Sequence, residues 1–162
     1  MSVESVLSSV IEIAVGIGGF AGIIAAIRQR NVSHWPTDQR LLLQMLLTAS
    51  AVAVLFSLTP WLLAEAGLPQ ATIWRLCSGS LLMWQSGITA HRRRQFRNLG
   101  LSVSTPRLLY ILLAVNLLLQ AINLVLAEAW PFLVGVVGIL ANGFTFFLRL
   151  LFAGTGDSEE AA

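Results

Sequence analysis

Residues 107–152 read RLLYILLAVNLLLQAINLVLAEAWPFLVGVVGILANGFTFFLRLLF, an almost continuous apolar stretch. As a single helix, about 45 residues would be roughly 67 Å long, about twice the thickness of the hydrocarbon core of a bilayer. The stretch must therefore turn back on itself. The turn is best placed at Glu128-Ala129-Trp130, which is followed by Pro131. This part of the sequence predicts two antiparallel helices that cross a membrane.

The composition of the whole chain supports the same class of protein. Of 162 residues, 56% are hydrophobic and only 11% are charged, and the mean hydropathy is +0.78. A soluble domain carries about 25% charged residues, so this chain has too few charges to cover a water-facing surface. Intrinsic disorder requires low hydrophobicity and is excluded as well. We therefore predict an all-α integral membrane protein.

Five apolar segments are long enough to cross a bilayer, for which about 20 residues are needed. They are approximately residues 6–27, 41–66, 72–90, 106–127 and 131–152. We predict one lone transmembrane helix followed by two helical hairpins, all within a single transmembrane domain over residues 1–152. Residues 153–162 include Asp157, Glu159 and Glu160, and we predict that they form a disordered, acidic cytoplasmic tail.

The distribution of charge predicts the orientation. Cytoplasmic loops of membrane proteins are enriched in Arg and Lys, and here the arginines concentrate in the segments 28–40 and 91–107. The opposite ends of the spans carry Glu4, Glu65 and Glu128. We predict that the N-terminus is outside and the C-terminus is cytoplasmic. All ten basic residues are arginine, which suggests a GC-rich bacterial genome and hence the inner (plasma) membrane.

Tryptophans add to this orientation, because Trp is enriched where a helix meets the membrane surface. Trp61, Trp74 and Trp130 are predicted to form an aromatic belt at the outer surface.

The two hairpins share a short sequence at their outer turns. Residues 63–66 and 126–129 both read Leu-Ala-Glu-Ala, and each tetrapeptide is followed by a proline. Both hairpins would run in the same direction, so that they would form a parallel repeat related by an axis along the membrane normal. A coincidence in a Leu- and Ala-rich chain explains the tetrapeptide equally well. The sequence leaves both explanations open.

Three amide side chains lie on one face of the fourth span. Asn116, Gln120 and Asn123 are spaced i, i+4 and i+7 on an otherwise apolar helix. Amides bond across helices in membranes for about 0.6–2 kcal/mol each, so one interpretation is interhelical packing. The other is a polar lining for an aqueous path, to which Asn142 of the fifth span would contribute. Facing polar stripes would also close the fourth and fifth spans into a hairpin without any pore.

The first span carries an acidic residue inside an apolar helix. Five residues share one side of this span at about 100° per residue, namely Ser5, Ser8, Glu12, Gly16 and Gly19. Small residues of this kind indicate a helix–helix interface, but a carboxylate in hydrocarbon needs a partner. We predict a buried ion pair between Glu12 and Arg75 of the third span, within or between subunits. In a conducting protein, Glu12 would instead belong to the ion pathway.

A basic run follows the third span, and we interpret it as part of a cytoplasmic loop. Its arginines are Arg92, Arg93, Arg94 and Arg97. The default interpretation is topological anchoring by the positive-inside rule. Binding of anionic lipid head groups is the second, and docking of a cytosolic protein is the third.

Several kinds of chemistry have no motif in this sequence. With Cys77 as the one cysteine and with two histidines in the chain, no cluster of metal ligands is expected. No phosphate-binding glycine loop occurs, and the basic run is explained without nucleic acid. We expect no enzyme activity, no cofactor, no metal and no nucleic-acid partner.

Two functions are considered, and the sequence favours the first, because two polar rows and an acidic residue within a span exceed what a small helical bundle needs. The first is a small homo-oligomeric channel or carrier subunit for ions, in which the path is lined by Glu12, Asn116, Gln120, Asn123 and Asn142. The second is a non-conducting membrane scaffold or accessory subunit, in which the polar stripes hold helices together. In the second case, the arginine run binds lipid head groups or a cytosolic partner.

Overall fold

The computed structural model of the chain describes residues 2–28, 37–98 and 107–152. Within these ranges the chain forms five α-helices and no strand. In chain order they are α1 (Val3–Arg28), α2 (Thr37–Glu65), α3 (Gln70–Asn98), α4 (Arg107–Leu126) and α5 (Ala129–Phe152). The prediction of an all-helical chain with five helices is confirmed. The predicted tail, residues 153–162, lies outside the described residues.

Three helices are long and apolar enough to cross a membrane. The qualifying segments are Val3–Ile23, Gln39–Glu65 and Ala129–Leu151. In α4 the apolar segment found among the described residues is the shorter Ile111–Leu126. Helix α3 has 29 residues, but Arg75 near its start and the arginines near its end lower its hydropathy. The membrane class is thus supported by three of the five predicted spans.

The basic run after the third span is helical, which corrects its assignment to a loop. Helix α3 continues to Asn98, eight residues beyond the predicted end of the span at residue 90. His91, Arg94 and Arg97 therefore belong to its last two turns. Arginine has a high helix propensity, and no Gly or Pro interrupts the segment before Gly100.

The turn between α2 and α3 follows from one glycine and one proline. Gly67 adopts a positive φ of 76°, a conformation that glycine tolerates without steric cost. Its N–H donates to Ala64 O over 2.9 Å, and the N–H of Leu68 donates to Leu63 O over 3.3 Å. This pairing is the Schellman motif that ends many helices. Pro69 follows, and its carbonyl accepts the first hydrogen bonds of α3.

The described residues cluster into two compact units that share α2 and α5. The first unit comprises Met1–Ser57 and Ile139–Ala162, and small residues bring its helices together. A β-carbon added at Gly18 of α1 would meet Ser50 Cβ of α2 at 3.4 Å, and one at Gly143 of α5 would meet Ala49 Cβ at 3.3 Å. Helices pack this closely in membranes when small residues line their interface.

The second unit is Leu58–Gly138, in which α3 packs against α4. Ser78 lies near the start of α3 and is bonded to Asn123 near the end of α4, so these two helices run antiparallel. The apolar part of this core includes Phe132 of α5, which is fully buried. Trp74 packs on it with ring centroids 6.0 Å apart and is itself buried. Trp74 therefore does not belong to an exposed aromatic belt, which corrects that part of the prediction.

Candidate functional site: a buried amide cluster

The polar face of α4 points into the protein and joins α4 to α5. The side chains of Gln120 and Asn123 are 0% exposed and that of Asn116 is 9% exposed. Gln120 Nε2 donates to the carbonyl oxygen of Pro131 over 2.6 Å and to Asn116 Oδ1 over 3.3 Å. Asn116 Nδ2 makes a longer contact of 3.4 Å with Gly135 O. The acceptors on α5 are therefore backbone carbonyls.

Asn123 closes the tight turn between α4 and α5. Its Nδ2 donates to Glu128 O over 2.8 Å, and its Oδ1 accepts the N–H of Glu128 over 2.9 Å. Its backbone carbonyl accepts the N–H of Ala127 over 2.9 Å. Ala127 has a φ of 57°, the left-handed conformation that typically follows the end of a helix. One side chain thus satisfies both the donor and the acceptor of residue 128.

The same asparagine also reaches a third helix. Asn123 Nδ2 donates to Ser78 Oγ over 2.7 Å, and Ser78 is fully buried. The amide group therefore bonds to α3 and to the turn before α5 at the same time. Buried polar groups with all partners in place fix one arrangement of helices.

Two glycines of α5 make room for these amides. A β-carbon at Gly135 would overlap Gln120 Nε2 and would lie 2.6 Å from Leu81 Cδ2. A β-carbon at Gly138 would lie 2.7 Å from Asn116 Nδ2. All three of these contacts would be closer than van der Waals radii allow. Glycine is therefore required at positions 135 and 138 for this packing.

Two buried amide oxygens in the second unit have no hydrogen-bond partner. They are Gln120 Oε1 and Gln85 Oε1 of α3. A buried acceptor without a partner costs about 1–3 kcal/mol. For Gln120, the two bonds of its Nε2 offset this cost. Among the described residues no bond of Gln85 offsets it.

The cluster is suited to holding helices and not to chemistry. Its side chains are neutral amides and one hydroxyl, which neither titrate near neutral pH nor act as strong nucleophiles. Among the described residues, no three His, Cys, Asp or Glu side chains lie close enough to hold a metal ion. The arrangement therefore supplies directional contacts between α3, α4 and α5.

The remaining predicted pathway residues belong to the first unit and lie on open helix faces. Both Glu12 and Asn142 are exposed. Thr145, one turn beyond Asn142, bonds to the carbonyl of Ala141 in its own helix. The structure therefore brings together Asn116, Gln120 and Asn123, but it does not add Glu12 or Asn142 to their hydrogen-bonded set.

The predicted partner of Glu12 is also exposed. Arg75 lies in the first turns of α3, in the second unit. Neither Glu12 nor Arg75 has a hydrogen-bond or ion-pair partner in the part of the chain that the structure describes. Each is therefore available to a group outside the described chain, and their pairing stays a prediction.

The predicted lipid-binding arginines occupy the last two turns of α3. Arg94 is exposed. The side chains of Arg92, Arg93 and Arg97 lie outside the described residues. Lipid binding at this end of α3 stays a prediction.

Sequence reasoning identified the amides of α4 but not their partners. The partners are Ser78, the N–H of Glu128 and three backbone carbonyls, those of Glu128, Pro131 and Gly135. A signal for Ser78 exists in the sequence, because Ser78 and Gln85 are one heptad apart and share a face of α3. A backbone carbonyl that accepts a hydrogen bond is not indicated by any pattern in the sequence. The one exception is a glycine nearby, which lets a neighbouring side chain approach.

Searches of protein-family models, of curated proteins and of solved structures find no match to this chain.

Proposed function

We propose that this chain is a non-conducting, multi-pass membrane protein that acts as a scaffold or accessory subunit. The observation that carries the proposal is the burial of Asn116, Gln120 and Asn123, the side chains best suited to line a path. Their donors are directed at α3, at α5 and at the turn before α5 of the same chain. Side chains engaged in this way are not free to coordinate ions or water along a pore.

We further propose that all five helices span the membrane. Helix α3 has 29 residues and α4 has 20, and about 20 residues suffice to cross the hydrocarbon core. The antiparallel packing of α3 and α4 and the tight turn before α5 support alternating spans. With the arginine-rich end of α3 in the cytoplasm, the N-terminus is outside and the membrane is the inner (plasma) membrane of a bacterium.

The basic end of α3 is the surface through which we propose that the protein contacts anionic lipid. A helix of 29 residues is about 44 Å long and exceeds a hydrocarbon core of about 30 Å. Its last turns, with Arg92, Arg93, Arg94 and Arg97, then reach the head groups. Each arginine near such a surface contributes about 1 kcal/mol of attraction. Replacing all four with Gln should reduce the anionic lipid that co-purifies with the protein.

The alternative is a channel or carrier built by several copies of the chain. Its support is Glu12, an exposed carboxyl group within an apolar helix. A ring of such groups around an assembly axis would attract cations.

Ion flux in liposomes distinguishes the two functions. Purified protein is reconstituted and challenged with gradients of Na⁺, K⁺ and chloride, beside protein-free liposomes and a known channel. We expect the wild-type protein to give no flux above protein-free liposomes, with insertion verified by protease protection and helicity by circular dichroism. Flux whose size or selectivity changes in Glu12→Gln or Gln120→Leu would overturn the proposal and support the channel.

A further inference from the structure

Helix α1 has two opposite faces, and the described residues of the chain cover one of them and leave the other open. The face that packs into the first unit carries Leu7, Val10, Ala14 and Ala21, each less than 5% exposed. The opposite face follows the spacing i, i+4, i+7, and all of its members are exposed. We call this set the open face of α1, and it consists of Ser5, Ser9, Glu12, Gly16, Gly19 and Ile23.

Glu12 makes this open face unsuited to lipid. It lies nine residues after Val3, the first residue of the helix, and therefore about 14 Å along the helix axis. Within an apolar span, a carboxyl group at this depth is costly unless it faces protein or a cation. No described residue of the chain bonds to it.

The glycines beside Glu12 leave room for a neighbouring helix. Gly16 and Gly19 lie one and two turns further along the open face. A β-carbon added at either would meet no atom of the described residues within 4 Å. Small residues at such positions let a second helix approach closely. The carboxyl group and the free space beside it lie on the same side of α1.

The complementary charge lies on α3, and it is also unpartnered within the described chain. Arg75 is exposed, and so are Leu76, the next residue, by 50% and Met83, about two turns further along the helix, by 72%. Arg75 lies five residues after the start of α3, about 8 Å along the helix axis. In the proposed topology both helices enter the membrane from the outer side, so each of the two charges lies nearer to the outer end of its own helix.

We infer that the open face of α1 docks on α3 of a second copy of this chain, with Glu12 of one copy paired to Arg75 of the other. The inference rests on the proposed function, in which the chain is a membrane scaffold or accessory subunit. Each copy carries one face of each kind, and a symmetric arrangement in which every such face is paired closes the oligomer. Association and ion flux are separate measurements, so failure of one proposal is distinguishable from failure of the other.

Charge reversal tests the pair. Glu12→Arg and Arg75→Glu are purified separately in mild detergent, and their masses are measured by light scattering beside the wild type. We expect the wild type to be oligomeric and each variant to fall to the 17.5 kDa of one chain after subtraction of detergent. Helicity measured by circular dichroism shows whether each variant is folded.

Mixing the two variants gives the sharper result. In the mixture, Glu12 of the Arg75→Glu variant meets Arg75 of the Glu12→Arg variant, which re-forms the original pair. At the second contact the two introduced side chains also carry opposite charges. Association should therefore return in the mixture although neither variant associates alone.

Gly16→Leu should also abolish association, whereas Gly22→Leu, on a different side of α1, should leave it unchanged.

Three results would overturn the inference. They are a wild-type protein that is monomeric in mild detergent, oligomers that survive either charge reversal, and a mixture of the two variants that stays monomeric. Glu12→Gln provides an additional reading if the reversed charge prevents folding, because it removes the ion pair without adding a charge. Unchanged association of Glu12→Gln would equally exclude the pair.

Discussion

Gly135 of α5 lies directly against Gln120 of α4, so that even one added methyl group at position 135 would overlap the Gln120 amide. This contact explains how an amide side chain reaches a main-chain carbonyl on the neighbouring helix. Pro131 O, one helical turn before Gly135, accepts from Gln120 Nε2 over 2.6 Å. The hydrogen bond from Gln120 to Pro131 therefore depends on the absence of a side chain at position 135.

Replacing Gly135 with Ala should destabilise the protein, because the new methyl group must displace Gln120 and Leu81. Overpacking of this kind costs about 1–3 kcal/mol, which should appear as a lower midpoint in thermal unfolding in detergent. Gly87→Ala in α3 is the matched control, because a β-carbon there would meet no atom of the part of the chain that the structure describes within 4 Å. The control should be neutral or slightly stabilising. Equal midpoints for the two variants would contradict this account of Gly135.

Replacing Gln120 with Leu should remove the hydrogen bonds to Pro131 and Asn116. The substitution keeps a side chain of comparable size but replaces the polar amide with an apolar group. Hydrogen bonds between membrane helices contribute about 0.6–2 kcal/mol each, and removing the unpartnered Gln120 Oε1 returns part of what the two lost bonds contribute. We therefore expect a net loss of about 1 kcal/mol in the free energy of unfolding. Gln70→Leu makes the same chemical change at the exposed first residue of α3, where the effect should be small. Unfolding by SDS, monitored by circular dichroism, measures both. A Gln120→Leu variant as stable as the control would show that the bonds contribute nothing.

Gln85 should behave in the opposite way, although it is also a buried amide. Its side chain is 4% exposed and its Oε1 atom has no partner. Removing such a group eliminates a desolvation cost of about 1–3 kcal/mol, so Gln85→Met should leave the protein equally stable or more stable. The same unfolding assay decides the point. A marked loss of stability would mean that the Gln85 oxygen is bonded to a group outside the described chain.

The helices and their turns could be predicted because both depend on local properties of the sequence. An apolar stretch longer than twice a bilayer must fold back, and Glu128 with Pro131 marks where it does so. The amide stripe was also recognisable, since Asn116, Gln120 and Asn123 fit a single helical face. The amides of α4 do join this helix to α5, but the groups on α5 that accept their hydrogen bonds are backbone carbonyls and not the side chains of a facing polar stripe.

The partners of each face could not be predicted, because periodicity indicates which residues lie together but not which neighbour covers them. In α1, the predicted interface with Gly16 and Gly19 is the open face, whereas Gly18 on the other side contacts Ser50. In α3, Arg75 and Ser78 fall within one polar arc of about 100°, yet Ser78 is buried and Arg75 is exposed. The arc is wide enough for its two edges to meet different surroundings.

The shared tetrapeptide at the two outer turns provides a last test, because the structure uses its second residue differently in each hairpin. Ala64 lies within α2 and has helical geometry, whereas Ala127 follows the end of α4 with a φ of 57°. The left-handed conformation costs an L-residue about 1–2 kcal/mol, and glycine avoids this cost. Because glycine also raises the entropy of the unfolded chain, the net gain for Ala127→Gly should be about 0.5–1 kcal/mol. Ala64→Gly should instead lose about 0.5–1 kcal/mol, as expected for glycine inside a helix.

Thermal midpoints of the two variants should therefore move in opposite directions from the wild type. A shift in the same direction for both would mean that the two tetrapeptides adopt the same conformation, as an exact structural repeat of the hairpins would require.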